Sequence, residues 1–105
     1  MISLRQIRSF VAVYEEGSFT SAAKREGATQ SGISQHLKQL ESELGAALLV
    51  RSGRDVEPTL AGKLYYRECV EVMKKLEAAQ QSVAVSHVRG AIREERRHPS
   101  GSGLL

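Results

Sequence analysis

Residues 18–44 form two short amphipathic segments separated by a turn, and this feature most constrains the fold. Ser18 is a favourable helix N-cap, and Gly27 suits the left-handed conformation that ends a helix. Thr29 can cap a second helix, whose apolar residues recur at steps of four, three and four: Ile33, Leu37, Leu40 and Leu44. One side of this second helix must face a core, and the sequence therefore predicts a helix-turn-helix.

The other side of the second helix is polar near its N-terminus, at Ser31, Ser34, Gln35 and Lys38. A helix with an anchored apolar back and a small polar front fits the major groove of duplex DNA. Gln35 is the best candidate for base readout because its amide can bond adenine at two atoms, while Lys38 is expected at a phosphate. Lys24 and Arg25, at the end of the first helix of the pair, are expected at the DNA backbone. The alternative is a merely solvated polar face, which is common on protein surfaces.

Two short extended runs follow, residues 48–51 and 55–58, and they predict an antiparallel hairpin with Pro58 at a strand end. A two-stranded ribbon directly after a recognition helix is a wing. Arg51 and Arg54 flank its tip, where guanidinium groups can reach phosphates or a narrow minor groove. For Arg51, a salt bridge to an acidic residue of the helical core is an equally weighted alternative.

A long helix is predicted from Leu60 to about Val88, and an amphipathic first helix is predicted near the N-terminus, closed by Gly17. The long helix has an apolar stripe, with a small buried thiol among its members: Tyr65, Cys69, Val72, Leu76, Ala79 and Val83. A helix of this length cannot bury that stripe on three short helices and a wing. Pairing with the same helix of a second copy is therefore predicted.

The predicted fold is mainly α: a winged helix-turn-helix of three helices and a two-stranded wing, then a long linker or dimerisation helix. Its boundaries are residues 1–58 for the winged domain, 59–88 for the long helix and 89–105 for a disordered tail or cloning remnant. The 105 residues have a formal net charge of only +3, so an argument for nucleic-acid binding depends on where the charges lie.

Composition also excludes several classes of function. Cys69 is the only cysteine, so an internal disulfide is impossible and the reducing cytoplasm is the expected compartment. The sequence contains neither a phosphate-binding loop nor a nucleophile with a base, and its three histidines are scattered. We therefore expect no enzyme, no cofactor and no metal site. Apolar runs are too short to cross a membrane, so no membrane partner is expected.

An ordered set of motifs resembles the LysR-type transcriptional regulators. The matching residues are Leu4-Arg5-Gln6-Ile7, Phe10, Ser18-Phe19-Thr20, Ala22-Ala23, Gln30 to Ser34, Leu40-Glu41, Leu44-Gly45, Leu48-Leu49-Val50-Arg51, Arg54 and Thr59-Leu60-Ala61-Gly62. The resemblance implies a bacterial regulator of transcription whose long helices pair antiparallel. Such a homodimer places two recognition helices on one face of double-stranded DNA, so the expected binding site is an interrupted inverted repeat. It also implies that Gln30 contacts bases or phosphates. The complete set of predicted DNA contacts is Lys24, Thr29, Gln30, Ser31, Ser34, Gln35, Lys38, Arg51 and Arg54.

Three departures from the family pattern qualify this interpretation. Ser31 stands where proline is usual, and Glu26 stands where an aliphatic residue commonly packs. The family's larger effector-binding domain has no counterpart in these residues, so we expect an isolated DNA-binding part without a small-molecule site, either an engineered fragment or a truncated gene product. The alternative function is a protein-interaction or dimerisation module that inhibits a full-length relative.

Overall fold

The structure, a computed structural model, describes residues 1–53 and 55–92, with side chains through Val85. In these residues it contains three short helices, a two-stranded antiparallel sheet and one long helix. In chain order they are α1 (Leu4–Glu16), α2 (Phe19–Glu26), α3 (Gln30–Leu44), β1 (Leu49–Ser52), β2 (Asp55–Pro58) and α4 (Leu60–Ile92). The predicted mainly helical winged fold is confirmed, with β1 beginning one residue later than predicted.

Local capping determines where the short helices begin and end. Ser18 accepts a hydrogen bond from the Ser21 amide at 3.2 Å, and Thr29 accepts one from the Gly32 amide at 3.0 Å. Both side chains thus satisfy amides that lack a partner within their helices. At the other ends, glycines adopt the left-handed conformation with φ between 64° and 70°: Gly17, Gly27 and Gly45. The turn between α2 and α3 is therefore encoded by the residues that form it.

The core of the winged domain lies among α1, α2, α3 and the start of the wing. Its largest fully buried side chains include Phe10, Val13, Ile33, Leu40 and Leu48. Each contributes about 1.5–3 kcal/mol by leaving water. This burial orients α3, because a helix whose apolar stripe is fixed in a core must present its opposite side to solvent.

The segment between α3 and the wing is anchored by a carboxylate. Glu41 Oε2, near the end of α3, accepts hydrogen bonds from the amides of Leu48 at 2.7 Å and Leu49 at 3.2 Å. The strands then pair from Leu49 with Pro58 to Ser52 with Asp55. The wing is therefore attached directly to the helix that precedes it.

The start of α4 packs very closely on the winged domain. The Thr59 hydroxyl donates to the Ala47 carbonyl at 2.6 Å and accepts from the Gly62 amide at 3.0 Å. A Cβ at Gly62 would lie 2.0 Å from the Leu48 carbonyl oxygen, so only glycine fits. Tyr65 and Cys69, which come later in α4, extend this packing. Tyr65 lies against Phe10 with ring centroids 5.7 Å apart, and Cys69 is only 2% exposed.

Among the described residues the chain divides into two units: one comprises residues 1–71, and the other begins at Val72, within α4. The first turns of α4 belong to the first unit because Gly62, Tyr65 and Cys69 pack there. In the second unit α4 continues to Ile92, four residues beyond its predicted end at Val88. The remainder of the predicted tail, residues 93–105, lies outside the described residues. No helix in the described part of the chain is both long enough and apolar enough to cross a bilayer.

Candidate nucleic-acid interface

The polar side of α3 lies on the surface of the winged domain. Gln30, Ser31, Gln35 and Lys38 are exposed, and Ser34 is half-buried. Three of the four predicted apolar residues of this helix are buried, with Ile33 at 1%, Leu37 at 5% and Leu40 at 0% exposure. The fourth, Leu44 in its last turn, is 37% exposed. The predicted amphipathic division of α3 is therefore present, with polar residues concentrated in its first half.

The N-terminus of α3 adds partial positive charge to this surface. The first amides of a helix have no partner within it, and the helix dipole places positive potential there. Thr29 uses its oxygen to accept from the Gly32 amide, and its hydroxyl lies 3.3 Å from that of Ser31. Two exposed hydroxyls and several amides thus meet at the end of α3 that would approach a phosphate or a base edge.

The two basic residues in the last turn of α2 have different surroundings. Lys24 is exposed. Arg25 Nη1 instead lies 2.8 Å from Glu15 Oε1 and 3.3 Å from Glu16 Oε2. We had expected both at the DNA backbone, but Arg25 is engaged with carboxylates of α1. Lys24 is therefore the available cation of this turn.

Arg51, on β1, packs over an aromatic ring. Its guanidinium carbon lies 4.2 Å from the centroid of Phe19, the first residue of α2. Within residues 1–53 and 55–85, no carboxylate lies within ion-pair distance of Arg51, so the salt-bridge alternative is not found. A cation–π contact at an exposed position contributes about 0.5–1 kcal/mol. The contact links the wing to the start of α2. Arg54, the second predicted wing contact, lies outside the described residues.

The recognition helix and the wing meet at a small open cavity of about 130 Å³. Its lining includes Ser34 and Lys38 from α3, Arg51 from β1, and the Phe19 ring. Three of the predicted DNA contacts therefore converge on one surface, two of them cationic. The contact between Phe19 and Arg51 joins residues more than thirty positions apart, so the local sequence pattern does not predict it.

Side-chain hydrogen bonds on the flank of α3 fix how the helix is turned. His36 Nδ1 lies 2.8 Å from the Ser9 hydroxyl of α1, and Gln6 Nε2 donates to Gln39 Oε1 at 3.1 Å. This contact with α1 gives His36 a structural role in holding α3.

The predicted dimer residues of α4 differ in exposure. In the first unit, Tyr65 is half-buried and Cys69 is buried, and loss of solvation raises the pKa of the Cys69 thiol to about 11. In the second unit, Val72 is 44% and Val83 68% exposed, Ala79 is exposed and Leu76 is half-buried. Two leucines outside the predicted stripe are also exposed, Leu60 at 73% and Leu64 at 55%. Cys69 thus belongs to the chain's own core and offers little area to a partner.

The arrangement of α2, α3 and the wing defines a winged helix-turn-helix of the DNA-binding class. Residues 4–63 match the family described as bacterial regulatory helix-turn-helix protein, lysR family. The chain belongs to this family, whose members are transcriptional regulators and not enzymes.

Several relatives support this assignment. The regulator BudR of Klebsiella aerogenes is 42% identical over 78 residues, which are 74% of this chain and 54% of BudR. The crystal structure of the CbnR DNA-binding domain with DNA is 35% identical, with a TM-score of 0.70, over 84% of this chain and 98% of that one. The BenM DNA-binding domain with catB site 1 DNA is 34% identical, with a TM-score of 0.73, over 83% and 96%. The chain spans between 22% and 54% of the length of eight curated relatives that it matches.

Proposed function

We propose that this chain binds double-stranded DNA sequence-specifically as a homodimer in the bacterial cytoplasm. The first half of α3 enters the major groove, and the wing contacts the adjacent backbone or minor groove. One observation supports this most strongly: the exposed polar face at the N-terminus of α3 lies opposite the buried side chains of Ile33, Leu37 and Leu40. The CbnR and BenM domains, which are similar over most of this chain, are described as bound to DNA.

The predicted contacts fall into two kinds. We expect Gln35, with Ser31 and Ser34, to face base edges, where side-chain hydrogen bonds provide sequence discrimination, and Gln30 to contact bases or phosphates. The contacts expected at phosphates, which provide affinity and orientation, are Thr29, Lys24, Lys38, Arg51 and Arg54. The convergence of Lys38 and Arg51 on the cavity between α3 and the wing supports a backbone contact there.

Dimerisation is proposed to occur through α4. The exposed Val72 and Val83, with the half-buried Leu76, supply an apolar surface that a second copy can cover. Two copies related by a two-fold axis present two recognition helices, so the binding site is an inverted repeat. Its half-sites should be separated by about one helical turn (~34 Å) or a multiple of it.

Selection from random duplex DNA at near-physiological salt tests this function. Recovery of an interrupted palindrome is the expected result. Binding should also weaken with salt, with a logarithmic slope of about −0.9 for each phosphate neutralised. Recovery of no motif, together with no salt-sensitive binding, would contradict the proposal and favour the protein-interaction alternative.

Gln35→Ala is expected to flatten the base preference at one position of each half-site. Loss of a two-point amide contact with a base removes about 1–3 kcal/mol of discrimination, whereas non-specific affinity depends on phosphate contacts and should change little. The matched control is Ser42→Ala, because Ser42 is exposed near the end of the same helix and lies outside the predicted DNA contacts. Sequencing of selected DNA measures both profiles. An unchanged profile for Gln35→Ala would remove this residue from base readout.

A further inference from the structure

Tyr66, in the second turn of α4, joins this helix to α1 by two contacts. Its hydroxyl donates a hydrogen bond to Glu15 Oε2. Its ring stacks on that of Tyr14, with the centroids 3.9 Å apart and the planes 4° from parallel. The stacked rings fix the distance between the helices, and the hydrogen bond is directional. Together they restrain the position of α4 on α1 more tightly than apolar packing alone.

Glu15 continues this connection into α2. Its Oε1 lies 2.8 Å from Arg25, which also approaches Glu26 at 3.6 Å. Glu26 in turn lies 3.4 Å from Arg8 of α1, and its side chain is only 17% exposed. Isolated surface ion pairs contribute little, but side chains that share partners lose less freedom for each additional contact. The network therefore ties the start of α4 to both helices that support α3.

The protonation states of the pair favour this contact at neutral pH. The hydrogen bond from Tyr66 lowers the pKa of Glu15, and the same bond raises the pKa of Tyr66 to about 12. The phenol therefore remains a donor and the carboxylate an ionised acceptor throughout the physiological range. A charge-assisted hydrogen bond of this kind is stronger than one between neutral groups.

Tyr66 also occupies a particular position on α4. Gly62 holds the first turn against the Leu48 carbonyl, and Tyr65 and Cys69 face the core. Tyr66 follows Gly62 by about one turn, or 6 Å along the axis, and lies about 100° around the helix from Tyr65. It therefore contacts α1 from the flank of the packed face. A contact at that place opposes a sideways swing of α4 about its first turn.

We propose that Tyr66 is a positioning residue for DNA recognition: its contacts with Tyr14 and Glu15 set the direction in which α4 leaves the winged domain. That direction determines which half-site separation the dimer prefers. This inference rests on the proposed DNA-binding dimer. At a separation of ~34 Å between recognition helices, a change of about 10° in direction displaces the partner's helix by about 6 Å. This distance is nearly two base-pair steps of ~3.4 Å.

The test measures binding to inverted repeats whose half-sites, taken from the selected motif, are separated by different numbers of base pairs. Tyr66→Phe keeps the stacked ring and removes the donor, while Tyr66→Ala removes both contacts. Ser82→Ala is the control, because Ser82 also loses a hydroxyl from α4 but bonds only to the Ala79 carbonyl of the same helix. Affinity for a single half-site and the circular-dichroism spectrum are recorded for each variant.

The wild-type chain and Ser82→Ala should prefer one separation. For Tyr66→Phe, the ratio of affinities between the best separation and its neighbours should fall by about threefold or more, because the hydrogen bond that favours one direction of α4 is lost. The decrease should be larger for Tyr66→Ala, with single half-site affinity unchanged. An unchanged separation profile, or a loss of half-site affinity without a change of profile, would overturn the positioning role and leave DNA binding intact. A wild-type chain without any preferred separation would overturn the dimer proposal and this inference together.

Discussion

Gly62→Ala is expected to destabilise the winged domain by about 3 kcal/mol, the upper part of the usual range for overpacking a core. The added Cβ would lie 2.0 Å from the Leu48 carbonyl oxygen and 3.0 Å from its carbonyl carbon. Both atoms are backbone and cannot move aside as a flexible side chain can. In an unhindered helix the same change would stabilise by about 1 kcal/mol, so the sign of the effect is itself diagnostic.

Urea unfolding followed by circular dichroism measures this change as a shift of the midpoint at constant slope. Ser82→Ala introduces the same residue into an exposed part of α4 and should change the free energy of unfolding by no more than about 0.5 kcal/mol. A stability of Gly62→Ala equal to or above that of the wild type would show that α4 does not approach Leu48 this closely in solution.

Elements encoded by neighbouring residues could be predicted from the sequence. Ser18, Gly27 and Thr29 determine the turn between α2 and α3 within a few positions, so their residue types are sufficient evidence. The exposed polar face of α3 follows from the apolar spacing beginning at Ile33, because burial of one side leaves the other in solvent. The hairpin could likewise be predicted from two short extended runs around Gly53, whose φ is 65°.

Contacts between distant residues could not be predicted in this way. The stacking of Arg51 on Phe19 and the engagement of Arg25 with Glu15 each depend on how separate elements pack. The location of Cys69 could not be predicted from the sequence for the same reason. Its place in an apolar stripe is compatible with a dimer interface or with the chain's own core, and only the packing of α4 on the winged domain distinguishes them. Helical periodicity identifies an apolar face but does not identify what covers it.

Leu76→Asp is expected to convert the proposed dimer to a monomer at micromolar concentrations. The substitution places a charge within the apolar surface formed with Val72 and Val83, and burying an uncompensated carboxylate costs several kcal/mol. An increase of the dimer dissociation constant from micromolar to millimolar corresponds to a loss of ~4.1 kcal/mol of binding free energy. One buried carboxylate in each subunit is sufficient to cause that loss. Sedimentation velocity measures the change. The affinity for an inverted repeat should fall towards that for one half-site, by about 10²–10⁴-fold, because the second recognition helix is no longer linked to the first.

Two control variants separate the faces of α4. Ala78→Asp introduces the same carboxylate at an exposed position on the opposite side of the helix and should leave the dimer intact. Leu64→Asp places the charge at one of the exposed leucines outside the stripe. If Leu64→Asp dissociates the dimer and Leu76→Asp does not, the interface lies on the Leu60 and Leu64 side, and the proposed stripe is wrong. If only Leu76→Asp dissociates the dimer, the interface lies on the side of Val72 and Val83. Cys69 then contributes to the core of its own chain and not to the interface.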